Sequence, residues 1–377
     1  MSRRVRQVDI ANALGVSQRI VSSVFNTNAK GTTRVSAEMR ERILSQAARM
    51  GYTINQSARQ LRGLSSKTIG VLINNYYTQE NHELLFLIGE AANRIGYRLL
   101  TGQVMDDLSE IKSYFNEFQS RSVDAVICLF HDPYINGEYC SIKSCINPHQ
   151  QVVFLGQPAG IETNAYVEID HCSAYQEAVT HLYSLGYRRI AFLTPNLHHP
   201  NMKARYRGYL RGLEICGLPR DGRLSQGFDE LARLERDEDL TETLEEVIEY
   251  MLKTAKADAF IATNDILASQ VIRYAHMHHY SVPGDFAVIG FGDLQPMAVR
   301  LYPQLTSFNV QNHQIARLLV ELCHAELPFR CKQVVHPVLI ARESTIGFRK
   351  FRIPEPVLPP VLQLRDYNQL DEVVTKK

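Results

Sequence analysis

In the first fifty residues of the chain, apolar side chains recur every three or four positions, and that period is helical. Two amphipathic segments, Val8–Leu14 and Gln18–Asn26, meet at Gly15-Val16-Ser17. Gly15 can take the left-handed conformation that ends a helix. Ser17 can open the next helix by accepting a hydrogen bond from an amide two or three residues on. A third helix is predicted from Ser36 to Met50, ending at Gly51, with Met39, Ile43, Ala47 and Met50 on its apolar face. Ile10, Leu14, Ile20, Val21 and Val24 can pack against that face. Asn26 to Arg34 reads as a polar loop. A fourth segment, capped by Asn55 and stopped by Gly63, spans under two turns. A helix that short is not stable alone in water, so it forms only when something packs on it. Gly63-Leu64-Ser65-Ser66 then reads as a tether.

From Lys67 onward the period alternates between strand and helix. Ile69–Ile73 is a continuous apolar run of the kind found in strands buried on both faces. The pattern predicts helix 82–96, strand 97–104, helix 107–121, strand 124–130 and strand 151–156. A second run begins near Val167, with helix 173–185, strand 189–194, helix 203–216, helix 240–255, strand 258–263, helix 266–280 and strand 286–291. A last helix is predicted over 313–326 and strand material over 333–346. Apolar strands alternating with amphipathic helices imply α/β architecture, parallel sheets flanked by helices. The halves echo each other, because Arg94-Ile95-Gly96-Tyr97-Arg98 and Ser184-Leu185-Gly186-Tyr187-Arg188 each close a helix and open a strand. Two similar lobes follow, with a ligand expected between them at the C-terminal strand ends.

The 377 residues allow two or three domains, and the composition, 45% hydrophobic and 21% charged, is ordinary for a globular chain. Charge distribution is more informative than the net +1. Residues 1–66 hold eleven Lys/Arg and three acids, a surplus of eight, which leaves the rest of the chain at −7. A basic head on a mildly acidic body suits phosphate binding at one end only. Two helices joined at Gly15-Val16-Ser17 are the pattern of a helix-turn-helix, whose second helix enters the DNA major groove. The seven cysteines form no C-x-x-C pair and read as small hydrophobes in a reducing cytosol. No apolar stretch is long enough to span a membrane, and no signal peptide is evident at the N-terminus, so a cytoplasmic protein is expected. There is no G-x-G-x-x-G or Walker loop, and no catalytic constellation, metal site or cofactor is expected. His276-Met277-His278-His279 does not place its imidazoles on one helix face, which favours a surface segment over a metal site.

These residues resemble the lactose/galactose (LacI-type) repressor family. The resemblance rests on Asp9-Ile10-Ala11, Gly15-Val16-Ser17, Val21-Ser22, Asn26, Val35-Ser36, Arg40-Glu41-Arg42-Ile43, Gly51-Tyr52, Asn55 and Ala58-Arg59-Gln60-Leu61. It continues through Thr68–Leu72, Leu185–Leu193, Arg205–Tyr209, Ala259–Asp265, Val288–Phe291 and Leu305–Ser307, and so covers about residues 3–346 in order. It implies a homodimer with a periplasmic-binding-protein-like sensor core. It also implies a near-palindromic double-stranded operator and a small carbohydrate-derived effector. Residues 1–54 would be the three-helix head and 55–66 the hinge helix and linker. Residues 67–348 would be the two-lobed core, with an N-lobe of about 67–166 plus 310–327 and a C-lobe of about 167–309 plus 328–348. Residues 349–377 form a Pro-rich tail, in which Val361 to Val374 could form a short helix.

By this resemblance, Ser17, Gln18, Arg19, Ser22, Ser23 and Asn26 in the head, and Asn55, Ala58 and Leu61 in the hinge, lie against DNA. The Arg19 fork matches guanine O6 and N7, and Gln18 could read adenine, although both could contact phosphate alone. Ser22 suits backbone or phosphate better than a base. Leu61 is expected to wedge into the minor groove; the alternative is packing on the dimer mate, and the two are compatible. The chain departs from the family pattern at Arg6, where Thr or Ser usually caps, at Ser23, where Arg is common, in the long loop 27–34, and at Ile54 in place of Pro. For the effector the candidates are Asn74, Tyr76, Arg205, Asn264, Asp265 and Asp293. Arg205 aligns with an arginine that holds ligand, and Asp265 could equally be a helix cap. Gly156 and Gly292 stand where acids often hold sugar hydroxyls, which points to an acidic or modified ligand. The expectation is an effector-controlled, sequence-specific transcription regulator, a repressor. Its rival is a cytoplasmic solute-binding protein or sugar-acting enzyme on the same core, which the basic head disfavours.

Overall fold

The computed structural model describes residues 5–25, 35–52, 65–74, 78–130, 133–135, 138–162, 164–194, 199–225, 241–324 and 331–347. The head contains α1 (Gln7–Leu14), α2 (Gln18–Phe25) and α3 (Ala37–Arg49). Gly15, at φ 66°, ends α1 with its N–H turned back to the Ala11 and Asn12 carbonyls. The Ser17 hydroxyl accepts from the Ile20 amide at 3.4 Å and opens α2. Arg6 begins α1 without a side-chain cap. Asp9, three residues on, accepts the Arg6 amide at 2.7 Å and provides the reciprocal half of the usual arrangement. Ile10, Ala11, Val21, Val24, Ile43 and Ala47 close into one buried cluster, with Leu14, Ile20, Met39 and Met50 at its margin. This is the packing that the three-four spacing predicted. An Arg40 guanidinium bond to the Val24 carbonyl at 3.4 Å ties α3 to the end of α2.

The core then runs β1 (Thr68–Asn74), α4 (Thr78–Arg94), β2 (Arg98–Val104), α5 (Leu108–Ser120), β3 (Ala125–Cys128), β4 (Tyr134–Ile135), β5 (Glu138–Tyr139), β6 (Val152–Leu155) and β7 (Ala165–Ile169). It continues with α6 (His171–Ser184), β8 (Ile190–Leu193), α7 (Pro200–Ile215), α8 (Thr241–Lys253), β9 (Ala259–Ala262), α9 (Asp265–Met277), β10 (Ala287–Gly292) and α10 (Met297–Arg300). The last described elements are β11 (Thr306–Asn309), α11 (Asn312–Leu322), β12 (Lys332–Val335), β13 (Val338–Ile340) and α12 (Glu343–Ile346). The chain divides into two compact units, Met1–Glu168 with His313–Gln333, and Ile169–Asn312 with Val334–Lys377.

In the first unit the strand order is β12-β7-β6-β3-β1-β2, and β1–β2, β1–β3, β3–β6 and β6–β7 all pair in parallel. On one face Leu72, Val126, Cys128, Val152 and Phe154 pack with Ile111, Phe115 and Phe118 of α5. The second unit is ordered β13-β11-β10-β9-β8. Its strands alternate between two cores. Ala191, Phe260 and Val288 face Ile248, Met251, Val271 and Ile272 of α8 and α9. Phe192, Ile261 and Ile289 face Tyr175, Val179, Tyr209 and Leu213 of α6 and α7. Apolar residues at consecutive strand positions are thus the mark of coverage by helices on both sides.

Two sequence expectations need correction. The segment 333–346 is not strand throughout, because β12 and β13 give way to the helix Glu343–Ile346. There Ser344 accepts the Thr306 amide and donates to the Val288 carbonyl, which turns the chain inward. The second sheet is also not wholly parallel, since β13 pairs antiparallel with β11.

Candidate functional site

Two regions collect the residues singled out in the sequence. In the head, Val21 and Val24 turn α2 toward the core. Gln18, Arg19, Ser22 and Ser23 therefore lie on the opposite side of the helix, at positions one, three and four apart. Ser17, Gln18 and Arg19 are exposed, and Ser22 and Ser23 are half-buried. The Ser23 hydroxyl donates to the Ile20 carbonyl at 2.7 Å. A group reaching it from outside would meet an acceptor oxygen first. Asn26, Asn55, Ala58 and Leu61, together with the rest of 53–64 and the tail 349–377, lie outside the described residues.

The second region is the C-terminal edge of the strands in the second unit. Asn264 and Asp265 follow β9, Asp293 follows β10, and Asn309 ends β11. Asn264 caps α9, its side-chain Oδ1 accepting the Leu267 amide at 2.8 Å. Asp265 has no exposed surface. Its carboxylate accepts the Ser307 hydroxyl at 2.5 Å and the Leu294 amide at 2.7 Å. Burial pushes this carboxyl upward, and the two hydrogen bonds partly offset the shift. Asp293 pairs with Arg342 at 2.7 Å and accepts from Asn309 Nδ2 at 3.0 Å and Gln295 Nε2 at 3.3 Å. Its own amide donates to Ser307 Oγ. The carboxylates of Asp265 and Asp293 are therefore already engaged by the protein.

Arg205 sits on the second turn of α7. The close approach of α7 to α6 depends on Gly208, where a Cβ would stand 2.2 Å from the Cys172 carbonyl oxygen. This contact carries Arg205 inward until it is 8% exposed. Its Nη1 donates to the Thr263 carbonyl, and its Nε donates to His171 Nδ1 at 3.4 Å. The guanidinium carbon lies 4.3 Å from the centre of the Phe291 ring. The His171 ring is 5.3 Å from the same ring. His171 is held well below the ordinary imidazole range, first by burial and then by the Arg205 and His199 charges. The Thr263 hydroxyl is sealed from solvent, with no hydrogen-bond partner among the described residues.

Asn74, which ends β1, is half-buried in the first unit, and Tyr76 lies outside the described residues. His171, Phe291, Arg342 and Asn309 were missed in the sequence. The strand-end rule that selected Asn74 and Asn264 could have found His171, which follows β7 by one intervening residue. Arg342 carried no such signal, because it reaches Asp293 across nearly fifty residues of chain.

A compact helix-turn-helix head, joined to an α/β core with polar groups at its strand ends, defines a DNA-binding regulator with a sensor domain. The family described as periplasmic binding protein-like domain matches residues 179–345. The HTH-type transcriptional regulator DegA of Bacillus subtilis (strain 168) is 26% identical over 348 residues, covering 89% of this chain and 97% of that protein. The HTH-type transcriptional repressor PurR of Mannheimia succiniciproducens is 25% identical over 342 residues, covering 89% and 97%. Among solved structures, the Lac repressor dimer bound to operator and the anti-inducer ONPF has a TM-score of 0.74 at 20% identity, covering 91% of this chain and 99% of that one. A periplasmic binding protein/LacI transcriptional regulator from Alkaliphilus metalliredigens, complexed with D-xylulofuranose, has a TM-score of 0.58 at 26% identity, covering 74% and 99%. Over nearly nine-tenths of its length the chain is therefore similar to helix-turn-helix transcriptional regulators and repressors, in line with the LacI-type resemblance in its sequence. Among the described residues no helix is long and apolar enough to cross a membrane.

Proposed function

We propose that this protein represses transcription by binding a near-palindromic operator as a cytoplasmic homodimer, and that a small effector changes its operator affinity. The carrying observation is the polar face of α2. Gln18, Arg19, Ser22 and Ser23 stand outward while Val21 and Val24 anchor the helix to the head. A helix presented that way on a basic domain suits the major groove. Arg19 is the proposed reader of guanine, with Gln18 beside it. Leu61 and its neighbours in the hinge are the proposed minor-groove contacts.

Effector contact is assigned to Arg205, with Asn264 and Asn74 as further strand-end candidates. Asp265 and Asp293 are left out of the contact set, because their oxygens already serve Ser307, Leu294, Arg342 and Asn309. Coupling between effector and operator is a free energy difference between conformations, each preferred by one ligand. Selection of bound DNA from a random pool tests the function. Enrichment of a two-fold symmetric sequence is expected. Recovery of no sequence preference would favour a solute-binding protein or a sugar-acting enzyme on the same core.

A further inference from the structure

Arg205 is a cation more than nine-tenths buried, and among the described residues its hydrogen bonds run only to neutral groups. These are the Thr263 carbonyl, His171 Nδ1 at 3.4 Å and the Met202 sulfur at 4.0 Å. Among the described residues no carboxylate pairs with it. The acids of the same strand edge are matched elsewhere, Asp293 to Arg342 and Asp265 to Ser307 and Leu294. A buried charge without a counter-charge is unfavourable, and a site that keeps one is prepared for a partner from outside.

His171 shows what kind of partner fits. Its Nδ1 accepts from the Arg205 Nε–H, so in the neutral ring the proton resides on Nε2. His171 is 6% exposed, and among the described residues nothing accepts its Nε2–H. Nor does anything among them accept from Arg205 Nη2. The Phe291 ring supports both groups, at 4.3 Å from the guanidinium and 5.3 Å from the imidazole. The unmatched atoms of this pair are therefore all donors, on two side chains hydrogen-bonded to each other. A sugar hydroxyl needs an acceptor for its own proton as well as a donor. A carboxylate or phosphate only accepts, and it supplies the missing negative charge.

We propose that the effector carries an anionic oxygen group, a carboxylate or a phosphate, that docks on Arg205 Nη2 and takes the Nε2–H of His171. The inference rests on the effector-controlled regulator proposed above. His171 is the specificity residue, because it adds a donor that rewards an anion and leaves a plain hydroxyl half-satisfied.

Thermal shift and calorimetry on the full-length protein test this with D-glucose and D-galactose as neutral probes. D-gluconate and D-galacturonate are the carboxylate arm, and glucose 6-phosphate and galactose 6-phosphate the phosphate arm. At least one anion should raise the melting temperature and bind at least tenfold tighter than its neutral parent. The arm that responds identifies the group. His171→Phe should weaken that anion by roughly 10- to 100-fold, the usual effect of one hydrogen bond to a charged group. His171→Gln, which keeps an N–H donor, should recover much of the loss and shows that a missing response is not a folding failure. Equal binding of neutral and anionic probes, no response to any anion, or undiminished anion binding by His171→Phe would each overturn the proposal. Tight binding of a neutral sugar alone would overturn this inference and leave the regulator in place. Failure to select DNA would count against the regulator itself.

Discussion

Replacing Asp265 with Ala separates a fold-holding carboxylate from a ligand-holding one. The native side chain has no exposed surface and accepts the Ser307 hydroxyl at 2.5 Å and the Leu294 amide at 2.7 Å. Each hydrogen bond to a charged group contributes about 1.5–3 kcal/mol, so two together stabilise by roughly 3–6 kcal/mol. Burial acts against the carboxylate, which is why its proton is held more tightly than usual. Removing the carboxyl relieves that penalty, and the net cost falls to about 2–4 kcal/mol. At about 2–4 °C per kcal/mol for a domain of this size, the melting temperature should drop by roughly 4–16 °C. Calorimetry and urea unfolding of the full chain provide the measurement. Ser307→Ala should reproduce part of the loss, and the double variant should lose less than the sum, because the partners share one bond. Asp265→Ala with wild-type melting and no effector response would refute the reasoning, since the carboxylate would then belong to the ligand.

Further outcomes follow from the same geometry. Arg19→Ala should cost about 1–3 kcal/mol of operator affinity and relax selection at one base pair. Uniform weakening across sequences, with a shallower salt dependence, would show a phosphate contact in its place. Ile43→Ala removes a fully buried side chain from the small head cluster and should cost about 2–5 kcal/mol. A head of some fifty residues has only a few kcal/mol to lose, so DNA binding should disappear while the core's melting transition stays. Retention of full operator binding would contradict this. His171 and His181 both titrate below the ordinary imidazole value in the fold, chiefly through burial. The unfolded chain therefore takes up protons first as pH falls, and the stability these groups provide is complete above about pH 6.5 and lost below it. Urea titrations between about pH 8 and pH 5 should show that decline, and a slope that His171→Phe leaves unaltered would remove His171 as a cause.

Much of this was legible along the chain. The head was, because its contacts lie within short stretches. Gly15 and Ser17 act on their own neighbours, and the spacing of Met39, Ile43 and Ala47 maps directly onto one helix face. The strand-helix alternation of the core was legible for the same reason, since coverage on both faces leaves consecutive apolar residues in each strand. The strand ends could also be located. What their side chains do there could not be read in this way. Asp265 and Asp293 carry the residue type of a ligand contact and the position of one, yet their partners Ser307 and Arg342 lie 42 and 49 residues away in sequence.

The sequence by itself determined that this protein is a helix-turn-helix head on an α/β sensor core, and which face of α2 is turned outward, because periodicity and caps are local properties. Only the tertiary structure decided which polar groups at the strand ends are closed into the fold and which are left open. That outcome depends on pairings between distant segments. The Asp293–Arg342 bond and the Gly208 contact with Cys172, which carries Arg205 to His171, have no signature in any short window of the chain.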